Sequence, residues 1–225
     1  MNATYLLLDL GSLSLPLLFS FHPKIRFARQ WRAAFAAIAI TAVPFLLWDV
    51  WFTRLGAWAF NPRFNLGWDL LGLPLEEILF FVCIPYANLF LYAVLRRYWP
   101  ARTQRRSVRL LFVLLALGWI IIGLFTSGIY SIVIGLLGGA SILLAVAKMK
   151  QFETFVRAYL IHLIPFFIVN GLLTALPVVT YSSQAILNVR LGSIPVEDLL
   201  YSWILFQLTV MLYEYFRDNV QVFRR

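Results

Sequence analysis

The chain has 225 residues, 62% of them hydrophobic and 13% charged, with a mean hydropathy of +0.82, so folding in water would leave far more apolar surface uncovered than a soluble domain presents. A lipid solvent is the natural reading, and soluble enzyme classes drop out. The net charge of +9 invites a nucleic-acid reading, but the basic residues fall in short clusters between apolar runs rather than on one soluble face, so they report topology and no nucleic-acid partner is expected.

Apolar runs long enough to cross roughly 30 Å of hydrocarbon stand at 3–21, 33–52, 73–95, 108–127, 130–147, 158–179 and 194–216. They predict an all-α integral membrane protein of about seven transmembrane helices. The first run has no positively charged leading region or small-residue cleavage signal and contains Asp9, so it is expected to remain as a helix. Cys83 is the single cysteine and lies in the third run, where it reads as a packing residue; one cysteine builds neither a disulfide framework nor a thiolate metal site. His162 in the sixth run reads as a satisfied core histidine, and Glu214 is placed near the inner interface beside basic residues.

Alternate connections hold Lys24, Arg26, Arg29 and Arg32; Arg96, Arg97, Arg102, Arg105 and Arg106; Lys148, Lys150 and Arg157; and Arg217, Arg224 and Arg225 in the tail. The other side has Arg54, Arg63 and Arg190, with Arg109 at a helix edge. The positive-inside bias then predicts a multi-pass protein of the cytoplasmic membrane, with its N-terminus outside and its C-terminus in the cytoplasm. The outer connections at 53–72 and 180–193 are rich in aromatic and amide side chains, and Trp58 and Trp68 read as members of an interfacial belt.

Sliding the chain on itself by 121 positions lays 49–82 over 170–203 without a gap. Thr53/Thr174, Leu66/Leu187, Leu70/Leu191, Pro74/Pro195 and Glu76/Glu197 coincide, Glu77 falls on Asp198, and Asp49 falls on Asn170. Leucine matches alone mean little in such a chain, but two Pro-x-Glu-acid motifs, each 25 residues after an intramembrane Asp or Asn, are hard to obtain by chance. Two repeats follow, 1–100 and 129–225, of three helices each, with a linking segment at 101–128. Three helices would invert the second copy, and the linking helix restores its direction. The repeats are therefore read as parallel, with both acidic motifs opening on the outer side.

Pro74 and Pro195 suit the first position of a helix, where no amide donor is lost. The two carboxyls after each proline then sit in the first turn about 100° apart, so one can cap the helix end while the other points into the bundle. The helix dipole favours the ionised form, and burial among Leu73, Ile78, Phe80 and Phe81 favours the neutral acid; the sequence leaves open which prevails at each residue. The plainer reading is an interfacial helix start with carboxylates in water. Duplication weighs against it, since four acids at equivalent places, backed by Asp49 and Asn170, describe a buried polar centre, and intramembrane ionisable groups are costly and usually functional.

These residues resemble the flavin-independent membrane lycopene beta-cyclase family, the heterodimeric type, here with both cyclase domains fused in one chain. The resemblance rests on Pro74–Phe81, Pro195–Tyr201, Trp48 with Asp49, Asn170 and the three-helix repeat, and it covers nearly the whole chain. It implies acid-initiated closure of β-ionone rings at the ends of lycopene without net redox change, an intramolecular lyase or isomerase of carotenoid biosynthesis. It also implies that one of Glu76, Glu77, Glu197 and Asp198 is the neutral acid, and that its opposite number in the other repeat, or Asp49, receives or relays the proton. Phe80, Phe81, Tyr201, Trp48 and Trp203 are expected to stabilise the cation and exclude water, with Pro74, Pro195 and Asn170 completing the substrate site.

No cofactor is expected. A nucleotide-binding Gly-x-Gly-x-x-Gly is missing, because Gly135–Gly139 lies inside an apolar helix, and no dense His, Cys and carboxylate cluster predicts a metal. The expected partners are lycopene and the lipid bilayer, and a homo-oligomer is compatible with the sequence. A retinal-binding photoreceptor needs a buried lysine, whereas Lys24, Lys148 and Lys150 all lie in predicted cytoplasmic segments. A small transporter is a rival of another class, marked by broken helices and acids near the bilayer centre, while these acid pairs stand at helix starts. A carotenoid hydratase shares the protonation step but lets water capture the cation.

Overall fold

The computed structural model describes residues 3–100 and 105–222, the side chains of 219–222 excepted. Arg102, Arg224 and Arg225 of the basic clusters, and the first residues of the linking segment, lie outside the described residues. Seven helices follow in chain order: α1 Thr4–Ser20, α2 Trp31–Arg54, α3 Leu75–Tyr98, α4 Arg106–Phe125, α5 Ile129–Lys148, α6 Phe152–Ala175 and α7 Glu197–Val222. Six of these are long and apolar enough to cross a membrane, and α1 is a shorter apolar helix of 17 residues. Each predicted run becomes one helix, but the ends move. Helix α6 starts at Phe152 rather than 158, because helical hydrogen bonding continues through the polar Glu153, Thr154 and Arg157 that hydropathy reads as a loop.

The connections on the side where α2 ends and α3 begins fold into a small cap that the helix count did not foresee. Strands β1 Trp58–Phe60, β2 Asp69–Leu70 and β3 Leu73–Pro74 follow α2, and β4 Val179–Tyr181, β5 Arg190–Leu191 and β6 Ile194–Pro195 follow α6. Each of β2–β3 and β5–β6 is a two-residue hairpin. In the first, Leu71 and Gly72 both take positive φ, 57° and 89°, as a turn matched to strand twist requires. This corrects the placement of Pro74 and Pro195. Pro74 is extended, with ψ 149°, and pairs with Asp69 in the hairpin just before α3, and Pro195 pairs with Arg190 before α7. The fixed φ of proline serves a strand end as well as a helix start, so the sequence alone did not separate the two.

Strand β1 pairs antiparallel with β4, placing Ala59 opposite Thr180, its own counterpart 121 positions on. The flanking bonds, Asn61 N–H to Val178 and Ser182 N–H to Ala57, exchange under the same shift, so a pseudo-twofold axis passes between these two residues. The helices obey it: α1 packs on α3 as α5 packs on α7, α2 on α3 as α6 on α7, and α2 on α7 as α6 on α3. Helix-interior prolines Pro44 in α2 and Pro165 in α6 are equivalent as well.

Helix α4 lies outside this arrangement and packs on α5 through glycines. A Cβ built on Gly135 would stand 2.8 Å from the Gly123 Cα and the Trp119 carbonyl, both backbone atoms that cannot yield, as suits close helix approach in lipid. Gly135→Val is expected to cost about 1–3 kcal/mol by overpacking, read as a lower melting temperature in detergent. An unchanged melting temperature would show that α4 docks elsewhere.

Candidate active site

Glu76 and Glu77 occupy the first turn of α3, and Glu197 and Asp198 open α7. All four are buried, so the solvated reading is excluded. Adjacent helical residues diverge by about 100°, and the two members of each pair serve different surroundings. Glu76 Oε1 accepts the Leu66 N–H at 2.7 Å, and Glu197 Oε1 accepts the Leu187 N–H at 2.6 Å together with the Ser131 hydroxyl at 2.5 Å. Each therefore ties the preceding cap loop to its helix rather than capping the helix itself. Glu197→Ala leaves the half-buried Leu187 N–H and the buried Ser131 hydroxyl without that acceptor, at about 1–3 kcal/mol. Earlier loss of tryptophan fluorescence on heating checks this, and an unshifted curve would rule out the clamp.

Glu77 and Asp198 turn the other way. Glu77 Oε2 accepts the Tyr5 hydroxyl at 2.5 Å, and its carboxyl hydrogen-bonds that of Asp49, five residues before the end of α2. An ionised carboxylate only accepts, so this contact needs one proton between the two groups. Tyr201 of α7 donates to Asp49 Oδ1 at 2.9 Å, joining the halves. Asp198 accepts three donors at 2.9 Å each, from the Tyr130 and Tyr181 hydroxyls and Asn170 Nδ2. Three donations onto one carboxyl suit the ionised form. Asp198 and Asp49 lie within electrostatic range of each other. Tyr181 belongs to the cap, where burial first, and then the Asp198 charge, hold its hydroxyl well above the usual tyrosine range, so it stays a donor.

Glu77, Asp49 and Asp198 stand at the head of a cavity of about 850 Å³. Its α1 wall runs from Tyr5 to Phe19, about 21 Å at 1.5 Å per residue. Its other walls come from α3, α6 and α7 and are mainly apolar, with Phe80, Ile84, Leu91 and Phe166 among them. It opens sideways between α1 and α6, where the lining residues Leu7 and Ile168 are 65% and 59% exposed. On the pseudo-symmetric side the rings of Phe45, Trp48 and Phe52 occupy the space near α5, with Phe52 against Tyr130 at 5.9 Å.

Of the residues singled out from sequence, Glu77, Asp49, Asp198, Phe80, Asn170 and Tyr201 line this groove. Glu76, Glu197, Phe81, Trp48, Trp203, Pro74 and Pro195 do not. Trp48 backs the site from behind, edge-on to Tyr201 at 5.7 Å, while Phe81 is core packing against Phe45. Trp203 lies among Phe112, Phe155 and Tyr159 and donates to Gln207 at 2.7 Å. Trp58, read as an interfacial residue, is buried on Phe52 and Tyr130, whereas Trp68 is exposed. His162 is buried but unsatisfied, since its Nε2 has no hydrogen-bond partner among the described residues. Asp9 is fully buried, and neither of its oxygens has a hydrogen-bond partner among the described residues. Glu214 has the basic neighbour expected of it, pairing with Arg96 at 3.0 Å.

Sequence reasoning missed Tyr5, Tyr130 and Tyr181. Tyr5 and Tyr130 occupy the first turns of equivalent helices, but they are 125 positions apart, so a gapless slide at 121 passes over them. Tyr181 falls on Phe60, which hides its hydroxyl in an aromatic match.

The lycopene cyclase family model matches residues 2–95 and 110–216, one stretch on each half. A curated protein of Aspergillus oryzae, a bifunctional lycopene cyclase/phytoene synthase, is 29% identical over 69 residues, which is 31% of this chain and 12% of that protein. The matched segment thus spans a small part of that relative's length. No solved structure matches the chain. With the family model covering both halves and most of the length between them, the chain belongs to the lycopene cyclase family.

Proposed function

We propose that the protein is a lycopene beta-cyclase that closes β-ionone rings on acyclic polyene ends by proton transfer alone. The observation that carries this reading is the convergence of the Glu77–Asp49 pair and Asp198, each bonded to tyrosine hydroxyls, at the head of an apolar groove open along its side. A hydrocarbon chain enters such a groove from lipid and presents its tip to the acids.

The shared proton of Glu77 and Asp49 goes to the inner carbon of the terminal double bond, leaving a tertiary cation on the outer carbon that bears the two methyl groups. The next suitably placed double bond attacks it and closes a six-membered ring, moving the cation onto a ring carbon. Loss of the ring-junction proton to Asp198 restores a double bond and gives the β ring. One proton is added and one removed, so atoms and oxidation level balance. Ring faces of Tyr130, Tyr181, Tyr201 and Phe80 shield the cation and keep water away. Glu76 and Glu197 hold the cap loops in this scheme and touch no substrate.

The two halves, 1–100 and 129–225 with the linking segment between them, act as one site, and the cap faces outward with the basic ends in the cytoplasm. Expression in lycopene-producing cells followed by pigment analysis tests the reading. γ- or β-carotene is expected; hydroxylated acyclic pigment would make the protein a hydratase, and unchanged lycopene would reject both. Residues 1–104 alone are expected to be inactive, because Tyr181, Asp198 and Tyr201 come from the other half.

A further inference from the structure

Tyr181 stands between two cavities. It lines the apolar groove, and it also lines a cavity of about 510 Å³ on the cap side, with Thr53, Asn65, Asp69, Thr180 and Ser182 among its polar walls. Asp69 and Thr180 are exposed, so this vestibule meets water. Trp58 and Phe60 line both cavities as well, which makes the paired strands β1 and β4 the partition. Of these three shared residues only Tyr181 carries a hydroxyl, and it donates that hydroxyl to Asp198 at 2.9 Å. Phe60, its counterpart in the first half, offers no such group. Tyr5 and Tyr201, which serve Glu77 and Asp49, do not line the vestibule.

Ring closure as read above leaves the Glu77–Asp49 pair one proton short and Asp198 one proton over, and this imbalance must be cleared before the next turnover. We propose, on that reading, that Tyr181 is the port through which these carboxyls exchange protons with the aqueous phase on the cap side, so that solvent supplies the hydrogen added at each closure. Asp198 passes its proton to the Tyr181 oxygen as Tyr181 releases its own to water in the vestibule; the reverse step brings a solvent proton in. Tyr201 lines the same groove as Tyr181 and donates to Asp49, and it continues the path to the donor pair. No electrons move, and water is the only co-reactant. A sealed site would instead return the proton internally, and each new ring would carry a hydrogen taken from an earlier substrate molecule.

The test is mass spectrometry of carotenoid made by the full chain in lipid nanodiscs in D₂O over many turnovers. One deuterium per ring is expected from the unaltered protein. In Tyr181→Phe the deuterium per ring is expected to fall well below one, because the hydrogen released at each closure is then returned inside the site. A purely structural lesion lowers the amount of product and not its deuterium content. Equal deuterium per ring in the two proteins overturns the port, as do rings without deuterium from the unaltered protein, a measurement that stands even where Tyr181→Phe does not accumulate. Absence of any ring overturns the cyclase reading itself, whereas undeuterated rings overturn only the port.

Discussion

Replacing Glu77 by Gln is expected to lower ring formation by about 10²–10⁴-fold, the usual contribution of a general acid, while the protein still accumulates in the membrane. The amide keeps the size of the carboxyl and can still accept the Tyr5 hydroxyl, so the cap end of the bundle retains its packing. What it removes is the proton shared with Asp49. Glu76→Gln, one residue away, is the internal comparison. Its amide oxygen can still accept the Leu66 N–H, and Glu76 does not line the groove, so a much smaller loss is expected. Pigment extraction with immunodetection of the membrane protein measures both. If Glu77→Gln converted lycopene fully, or if Glu76→Gln were the inactive member of the pair, the division of labour between adjacent acids would be reversed.

That division marks where the sequence stopped being informative. Helix number and approximate spans were legible because a membrane helix must satisfy its backbone internally and so announces itself as a long apolar run. The acidic centre was legible because a gapless repeat puts Glu77 on Asp198 and Asp49 on Asn170. Two adjacent carboxyls have the same chemistry on paper, and only the loop that folds back over α3 decides that Glu76 meets a backbone amide while Glu77 meets the groove. The aromatic residues were harder still. Trp203, Phe81 and Tyr201 all lie within a turn or two of the acids, and tertiary packing sends the first two into the core and the third onto Asp49. The tyrosines on the acids come from other helices and from the cap, at separations of 72 residues for Tyr5 to Glu77 and 68 for Tyr130 to Asp198, distances at which a single sequence carries no signal.

Asp198→Asn tests the other side of the reaction. In the native site three donors converge on Asp198, and none of its groups needs to donate. An asparagine must point its NH₂ at one of those donors, so at least one of the Tyr130, Tyr181 and Asn170 contacts is reversed or lost, and the group no longer accepts a proton from a ring carbon. With the Glu77–Asp49 pair intact, the polyene tip is still protonated and the ring still closes, but the cation waits for a base. Overall conversion is expected to drop by about 10²–10⁴-fold, and the residual product is expected to include rings whose double bond lies away from the junction, formed by loss of a different proton. Chromatography and the absorption spectrum of the pigment separate these isomers from the β ring. Exclusive β-ring product at an undiminished rate would remove Asp198 from the deprotonation step and leave the Glu77–Asp49 pair to serve as both donor and acceptor.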